Sequence, residues 1–216
     1  IDRDLSSLFH VSKLSEFHIF LRLCSERTGT VLNMSELARD AAVSVHAAKE
    51  WLSILEQTGF VYLLRPYAVN RSLRVIKSPK LYFVDTGLAT YLTGWSSVEQ
   101  ILKNPTQSGA LFESFVVSEL LKSYWNRGVE PPLYFYRDRQ GREIDLVIEQ
   151  SRVIHPVVIK LSKDIKRIQK GSTTTMRYFR DHTKGTIGTG YVISLVYPWS
   201  YIQNHETIAL PFTAIQ

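Results

Sequence analysis

The chain has 216 residues, of which 44% are hydrophobic and 21% charged, with a formal net charge of +6. That is enough apolar chain to bury one large core or two small ones, and the balance is ordinary for a globular protein. No apolar run approaches the roughly 20 residues that span a bilayer, the charged opening Ile1-Asp2-Arg3-Asp4 is no signal peptide, and a single Cys24 excludes an internal disulfide, so a cytoplasmic location is expected.

The chain begins at Ile1 rather than Met and reads as a piece of something longer. Its positive charge lies in two blocks. Residues 61–84 carry five basic and no acidic residues, and residues 151–184 carry nine basic and two acidic. Such blocks suit contact with a polyanion, nucleic acid being the commonest. The alternative is lysine-rich faces that are simply solvated.

In chain order, apolar positions 14, 17, 19–21 and 23–24 predict a helix over Leu14 to Arg27, with Cys24 as a buried, inert thiol and Thr28-Gly29 as the stop. Asn33-Met-Ser-Glu36 has capping-box spacing and opens a short helix to Ala42. Ser44 caps a further helix from Val45 to Thr58, with Val45, Ala48, Leu52 and Leu55 inward and Gly59 ending it. Phe60 to Leu64 and Leu73 to Ile76 read as two strands of a hairpin. Three helices and a hairpin predict a winged helix-turn-helix over residues 1–78. A connecting segment, 79–108, follows: a strand from Lys80, an Asp85-capped helix, and a polar loop from Gly94 to Ser108 interrupted by Pro105. The last unit, 109–216, reads as helix 110–125, strands 133–137, 143–149 and 153–160, a basic helix at about 163–181 and a strand 190–196. Turns fall at 137–141 and at Gln150-Ser151. A hairpin plus a crossover helix predicts a mixed sheet, hence α/β within an α+β chain. Thr183 to Gly190 is Gly-rich but lacks the strand-to-helix context of a phosphate loop, and reads as a loop.

The stretch from Gly109 to Lys160 lays out a nuclease-type metal site. A phosphodiesterase of this plan uses carboxylates to hold Mg²⁺ and a lysine to stabilise developing negative charge. Glu113 on the helix, Asp145 on the second strand and Lys160 at the end of the third are the candidate catalytic residues, with Glu113 and Asp145 the candidate metal ligands. A second strand carboxylate is expected two residues before the lysine, on the same face, and that position is Val158. The expectation is weak Mg²⁺ binding and crippled catalysis. If Ile144, Leu146 and Ile148 face the core, Asp145 shares the other face with Glu143, Val147 and Glu149; a solvent-facing edge strand would show the same alternation. Lys160 ends an apolar run and must snorkel or find a carboxylate, Asp145 being the natural one.

For nucleic acid, the second helix of the helix-turn-helix offers only Lys49 as a phosphate or guanine contact, beside a repelling Glu50. The hairpin offers Arg65, Arg71, Arg74 and Lys77, and the basic helix Lys166, Arg167 and Lys170. A protein-docking role for the same domain is the competing reading. His18 and His155 have no partners at metal-ligand spacing, and without G-x-x-x-x-G-K-[ST] this chain binds no ATP through a P-loop.

The runs N-x-S-E-L-A, W-L-S-I-L-E, K-S-P-K-L-Y-F-V-D-T-G-L-A-x-Y-L, L-F-E-S-F-V-V-S-E-L-L-K and Y-R-D-x-x-G-x-E-I-D-L-V-I resemble a prokaryotic family of AAA+-type ATPases whose C-terminal half is a domain of unknown function. The resemblance covers nearly the whole chain and implies that it is the C-terminal half of such a protein, ATP belonging to an N-terminal module. It also implies a winged helix followed by a PD-(D/E)XK restriction-endonuclease-like domain, in which Glu113, Asp145 and Lys160 match the motif and Val158 replaces its glutamate. Three functions follow: a DNA-associated module with a degraded nuclease-like site; an active Mg²⁺-dependent nuclease; or a module that docks a partner protein or regulates its own ATPase.

Overall fold

The computed structural model describes residues 14–67, 78–138, 140–202 and 206–215. The expected strand at 73–76, with Arg71, Arg74 and Lys77, lies outside the described residues. The fold is α+β, and no described helix is long and apolar enough to cross a membrane.

Among the described residues three helices come first, with a two-residue strand between the first two: α1 (Leu14–Glu26), β1 (Thr30–Val31), α2 (Met34–Asp40) and α3 (Val45–Gln57). Their starts are written locally. Asn33 Oδ1 accepts the Glu36 N–H and Ser44 Oγ accepts the Ala47 N–H, each satisfying an amide that the first helical turn leaves free. Phe17, Phe20, Leu21 and Cys24 form the buried face of α1, and Trp51 of α3 packs edge-on against Phe17 and Phe20 at 5.4 and 5.5 Å. Trp51 thus takes the inward place expected of Val45, which is 40% exposed. Burial pushes the Cys24 thiol up to about 12, against a small opposing pull from Arg27, so it stays protonated and inert.

Strands β2 (Val61–Leu64) and β3 (Lys80–Phe83) complete a three-stranded antiparallel sheet in the order β1-β3-β2, Val61 facing Phe83 and Leu64 facing Lys80. The strand from Lys80, expected only as a connector, is therefore the centre of the first sheet. Helices α4 (Thr86–Leu92) and α5 (Val98–Leu102) lead into the long α6 (Pro105–Trp125). This corrects the loop expected over Gly94 to Ser108. Ser97 and Asn104 cap α5 and α6, and Pro105 opens α6 in the first turn, where a missing N–H costs nothing.

The larger sheet comprises β4 (Leu133–Arg137), β5 (Glu143–Gln150), β6 (Val153–Lys160), β7 (Thr186–Ile187), β8 (Gly190–Ser194), β9 (Ser200–Ile202) and β10 (Thr207–Pro211), with α7 (Ile165–His182) crossing from β6 to β8. Its order is β4-β5-β6-β8-β10-β9, with β7 pairing off β6. The β5–β6 turn is Ser151-Arg152, one residue beyond the expected pair, and both have positive φ, as a tight primed hairpin turn requires. The short β7 falls inside the Gly-rich segment expected to be loop, and β9 and β10 were not anticipated.

Apolar residues of α6 (Val116, Val117, Leu121) cover one face of this sheet, and those of α7 (Ile168, Met176, Phe179) cover the other. The two sheets are stitched together: Tyr67 N–H donates to Phe135 O at 2.6 Å and Phe135 N–H to Arg65 O at 3.1 Å. Gly29, in the left-handed region at φ 75°, brings its backbone against Ala110 of α6, where an added Cβ would lie 3.5 Å away. Nearby, the Ser114 hydroxyl donates to Ala110 O at 2.8 Å. Thr28 therefore donates to Ser114 Oγ, also at 2.8 Å, while its own oxygen accepts the Phe83 N–H. Thr28→Val keeps the shape and orphans a buried amide. It should lower stability by about 1–3 kcal/mol in urea unfolding; an unchanged midpoint would mean that this buried chain of hydrogen bonds adds nothing.

Candidate functional site

Three elements converge at one end of the larger sheet. α6 presents Glu113, β5 presents Glu143 and Asp145, and β3 of the first sheet presents Lys80 and Tyr82. Their presentation depends on an irregularity in β5. Tyr134 faces Val147 and Tyr136 faces Ile144, so two steps on β4 match three on β5, a β-bulge at residues 145–146. Ile144 accordingly packs under α7 and Leu146 under α6, although strict alternation would give them one face. The face expected from alternation is corrected here. Nor is β5 an edge strand, since it lies between β4 and β6. Asp145, 8% exposed, accepts the Ile159 N–H at 2.7 Å, just past the last β5–β6 ladder pair, Leu146–Val157.

Carboxylate oxygens of Glu113, Glu143 and Asp145 lie within 4.8 Å of one another. Glu143 is the third carboxylate, and it comes from the strand of Asp145 rather than from position 158. Among these acids sits the ammonium of Lys80, 2% exposed, which pairs with Glu113 at 2.8 Å and also with Glu143. Tyr82 donates its phenol to the same Glu113 oxygen at 2.5 Å, and Arg137 approaches Glu143 at 3.7 Å. Burial would lower the Lys80 pKa, but Glu113, then Glu143 and Asp145, more than reverse this and hold it above the usual lysine value. Tyr82 is pushed well up by burial and by the charge of Glu113, so it remains a donor. The Asp145 carboxyl is raised to about 7, first by burial and then by Glu113, against the opposing pull of Lys160, Lys80 and the Ile159 N–H.

Lys160 stands at the end of β6 and is exposed. Its charge reaches Asp145, yet among the described residues it forms no ion pair; the lysine that closes on the carboxylates is Lys80. Val158 is 3% exposed and packs under α7 with Ile168, Met176 and Phe179, in the apolar layer opposite the one beneath Glu113's helix. Lys160 instead lines a cleft of about 690 Å³ with Glu113, Lys163 and Arg167. Of the expected nucleic-acid contacts, Lys49 is exposed on α3 next to a His46–Glu50 pair at 3.4 Å, and Arg65 leans on Glu56 at 3.8 Å. Lys166, Arg167 and Lys170 are exposed on α7, without ion pairs among the described residues. His155 is structural, with Nδ1 3.0 Å from Thr189 O.

Lys80, Tyr82 and, as a member of the carboxylate set, Glu143 are the residues that sequence reasoning missed. A signal was present: Lys80 sits in Lys-Leu-Tyr-Phe, and a lysine opening a fully buried strand requires a carboxylate for the same reason as one that closes an apolar run.

Residues 1–99 match a domain of unknown function, DUF8612, and residues 108–214 match a second, DUF4143. Two curated relatives are the uncharacterized proteins Rv2008c of Mycobacterium tuberculosis (strain ATCC 25618 / H37Rv) and Mb2031c of Mycobacterium bovis (strain ATCC BAA-935 / AF2122/97). Each is 30% identical over 151 residues, which is 70% of this chain and 33% of the relative. The matched region is thus about a third of the length of these relatives. No solved structure matches the chain. By these similarities the chain joins two regions, each like a domain of unknown function, and its carboxylate–lysine cluster takes Lys80 and Tyr82 from the first and Glu113, Glu143 and Asp145 from the second.

Proposed function

We propose that this chain is a DNA-associated module of a larger P-loop ATPase, carrying a nuclease-like site that Lys80 has closed. The observation that carries the reading is the Lys80 ammonium, buried and paired with both Glu113 and Glu143. Three carboxylates within 4.8 Å could between them supply the one or two ligands that Mg²⁺ usually takes from a protein. With the Lys80 ammonium already paired to two of them, the residues as arranged do not fit a divalent ion. The scaffold then serves to bind rather than to cleave.

Supporting the DNA part, the order α1-β1-α2-α3-β2-β3 with sheet order β1-β3-β2 suits a winged helix, and a mixed sheet between α6 and α7 suits a restriction-endonuclease-like domain. The exposed cations of α7 supply sequence-independent phosphate contacts. Supporting the ATPase part, DUF4143 commonly accompanies AAA-type ATPases, and relatives about three times as long as the matched region leave room for such a module. A cytoplasmic setting goes with that reading.

A second reading, an active nuclease, is favoured by Glu143, which supplies the ligand that Val158 does not. One experiment separates the two: cleavage of plasmid and single-stranded DNA in Mg²⁺ or Mn²⁺, alongside binding titrations across a salt series. Wild type should bind with an affinity that falls steeply with salt, and should not cleave. Cleavage that Asp145→Ala abolishes would establish the nuclease instead. An absence of binding at low salt would remove DNA altogether and leave protein docking.

A further inference from the structure

We infer that the cleft beside the carboxylate cluster seats the phosphodiester backbone of single-stranded nucleic acid, a proposal that rests on the DNA-associated reading and gives it a location. Lys160, Lys163 and Arg167 line the cleft, all exposed and none in an ion pair among the described residues. The carboxylate that lines the cleft, Glu113, is already bound by Lys80 and Tyr82. Three cations thus line the cleft against one carboxylate that is already paired, and a polyanion entering it displaces no ion pair of Lys160, Lys163 or Arg167 among the described residues.

A smaller hollow of about 240 Å³ shares Lys160, Ser162 and Arg167 and runs on to Gly171. Arg167 thus stands between two adjoining cavities, with Lys170 one turn further along α7. Cations repeated along a track fit an anion repeated along a chain better than a single phosphate. The size selects the strand class. A cleft of about 690 Å³ has the dimensions of a small-ligand site, which admits an extended strand or a strand end. A duplex, which holds grooves of about 12 and 6 Å between its two strands, is wider than such a cleft and can only lie across its mouth. Lys160, whose charge reaches Asp145 but which forms no ion pair among the described residues, keeps its ammonium available to a phosphate.

The test uses the full chain and fluorescence anisotropy with a labelled oligothymidine and a blunt duplex of equal length, across a salt series. Two variants probe the cleft by different means. K163E/R167E reverses two exposed charges. G109F introduces bulk at a position that lines the cleft and where an added Cβ meets nothing within 4 Å, so the side chain leaves the helix into open space. The oligothymidine should bind more tightly than the duplex. K163E/R167E should weaken single-strand binding at least about ten-fold and reduce the log–log salt slope by about 1.4, from roughly 0.7 per lost phosphate contact. G109F should also weaken it, although it alters no charge. If wild type binds DNA and both variants match it in affinity and slope, the cleft is not the seat, while the DNA-associated reading stands. Equal affinity for the duplex overturns the strand class. No binding by wild type overturns both readings.

Discussion

Replacing Lys80 by methionine should remove about 3–5 kcal/mol of stability at pH 8, the usual cost of leaving buried charge without its partner. Methionine keeps the length of the stem and removes the ammonium. Glu113 would retain only the Tyr82 phenol, and Glu143 only Arg137 at 3.7 Å, while Asp145 would lose one of the two lysines that restrain its pKa. Three acids within 4.8 Å would then repel one another in a largely dry site. Because the damage is electrostatic, it should shrink as the acids take up protons. Urea unfolding at pH 8 and pH 5 measures this, and adding Glu113→Gln and Glu143→Gln to the variant should restore much of the loss. A loss below about 1 kcal/mol at pH 8 would show that the pairs, although buried, contribute little beyond their desolvation cost.

Replacing Asp145 by asparagine should stabilise the protein above neutral pH and flatten part of its pH profile. In the folded state the carboxyl titrates at about 7, against an ordinary value of 3.8. Below about pH 4 the acid is protonated whether the chain is folded or not, and its contribution to stability is fully present. Between about 4 and 7 the folded state retains a proton that the unfolded chain has released. Stability therefore falls as pH rises through that window, and the penalty is complete above it. Holding the carboxyl so far above its ordinary value costs the folded state on the order of 4 kcal/mol once the acid is ionised. Asparagine keeps an oxygen for the Ile159 N–H and carries no charge to desolvate. The difference between wild type and Asp145→Asn, followed by urea unfolding from pH 4 to 8, should widen with pH in favour of the variant. Parallel profiles would show that Asp145 is ionised throughout and held by its lysines more strongly than burial opposes.

What the sequence could disclose was mostly local. Asn33, Ser44 and Asp85 were legible as caps because a cap and the amides it serves lie two or three residues apart, and all three make those bonds. Strands 133–160 were legible because turn chemistry and apolar runs delimit them. Pro105 misled because one residue signals both a break and a permitted first turn, and only packing of α6 decides between them. The bulge at 145–146 was invisible because alternation assumes constant parity along a strand, and one extra residue reverses it. Position 158 was located on the right strand, but which layer it packs in depends on helices elsewhere in the chain. Lys80 posed the hardest case. Its partner Glu113 lies 33 residues away on a helix, and nothing in the spacing of either betrays that β3 will carry it there.

The boundary between the two matched regions falls after residue 99, yet the counter-ion of the acidic cluster lies on its far side. A fragment trimmed to 108–214 would keep Glu113, Glu143 and Asp145 and lose both Lys80 and Tyr82. Sequence similarity thus divides the chain where electrostatics does not. Any cation uptake measured on such a fragment would belong to the cut rather than to the protein, and a chain prepared to assay this site needs to begin upstream of Lys80.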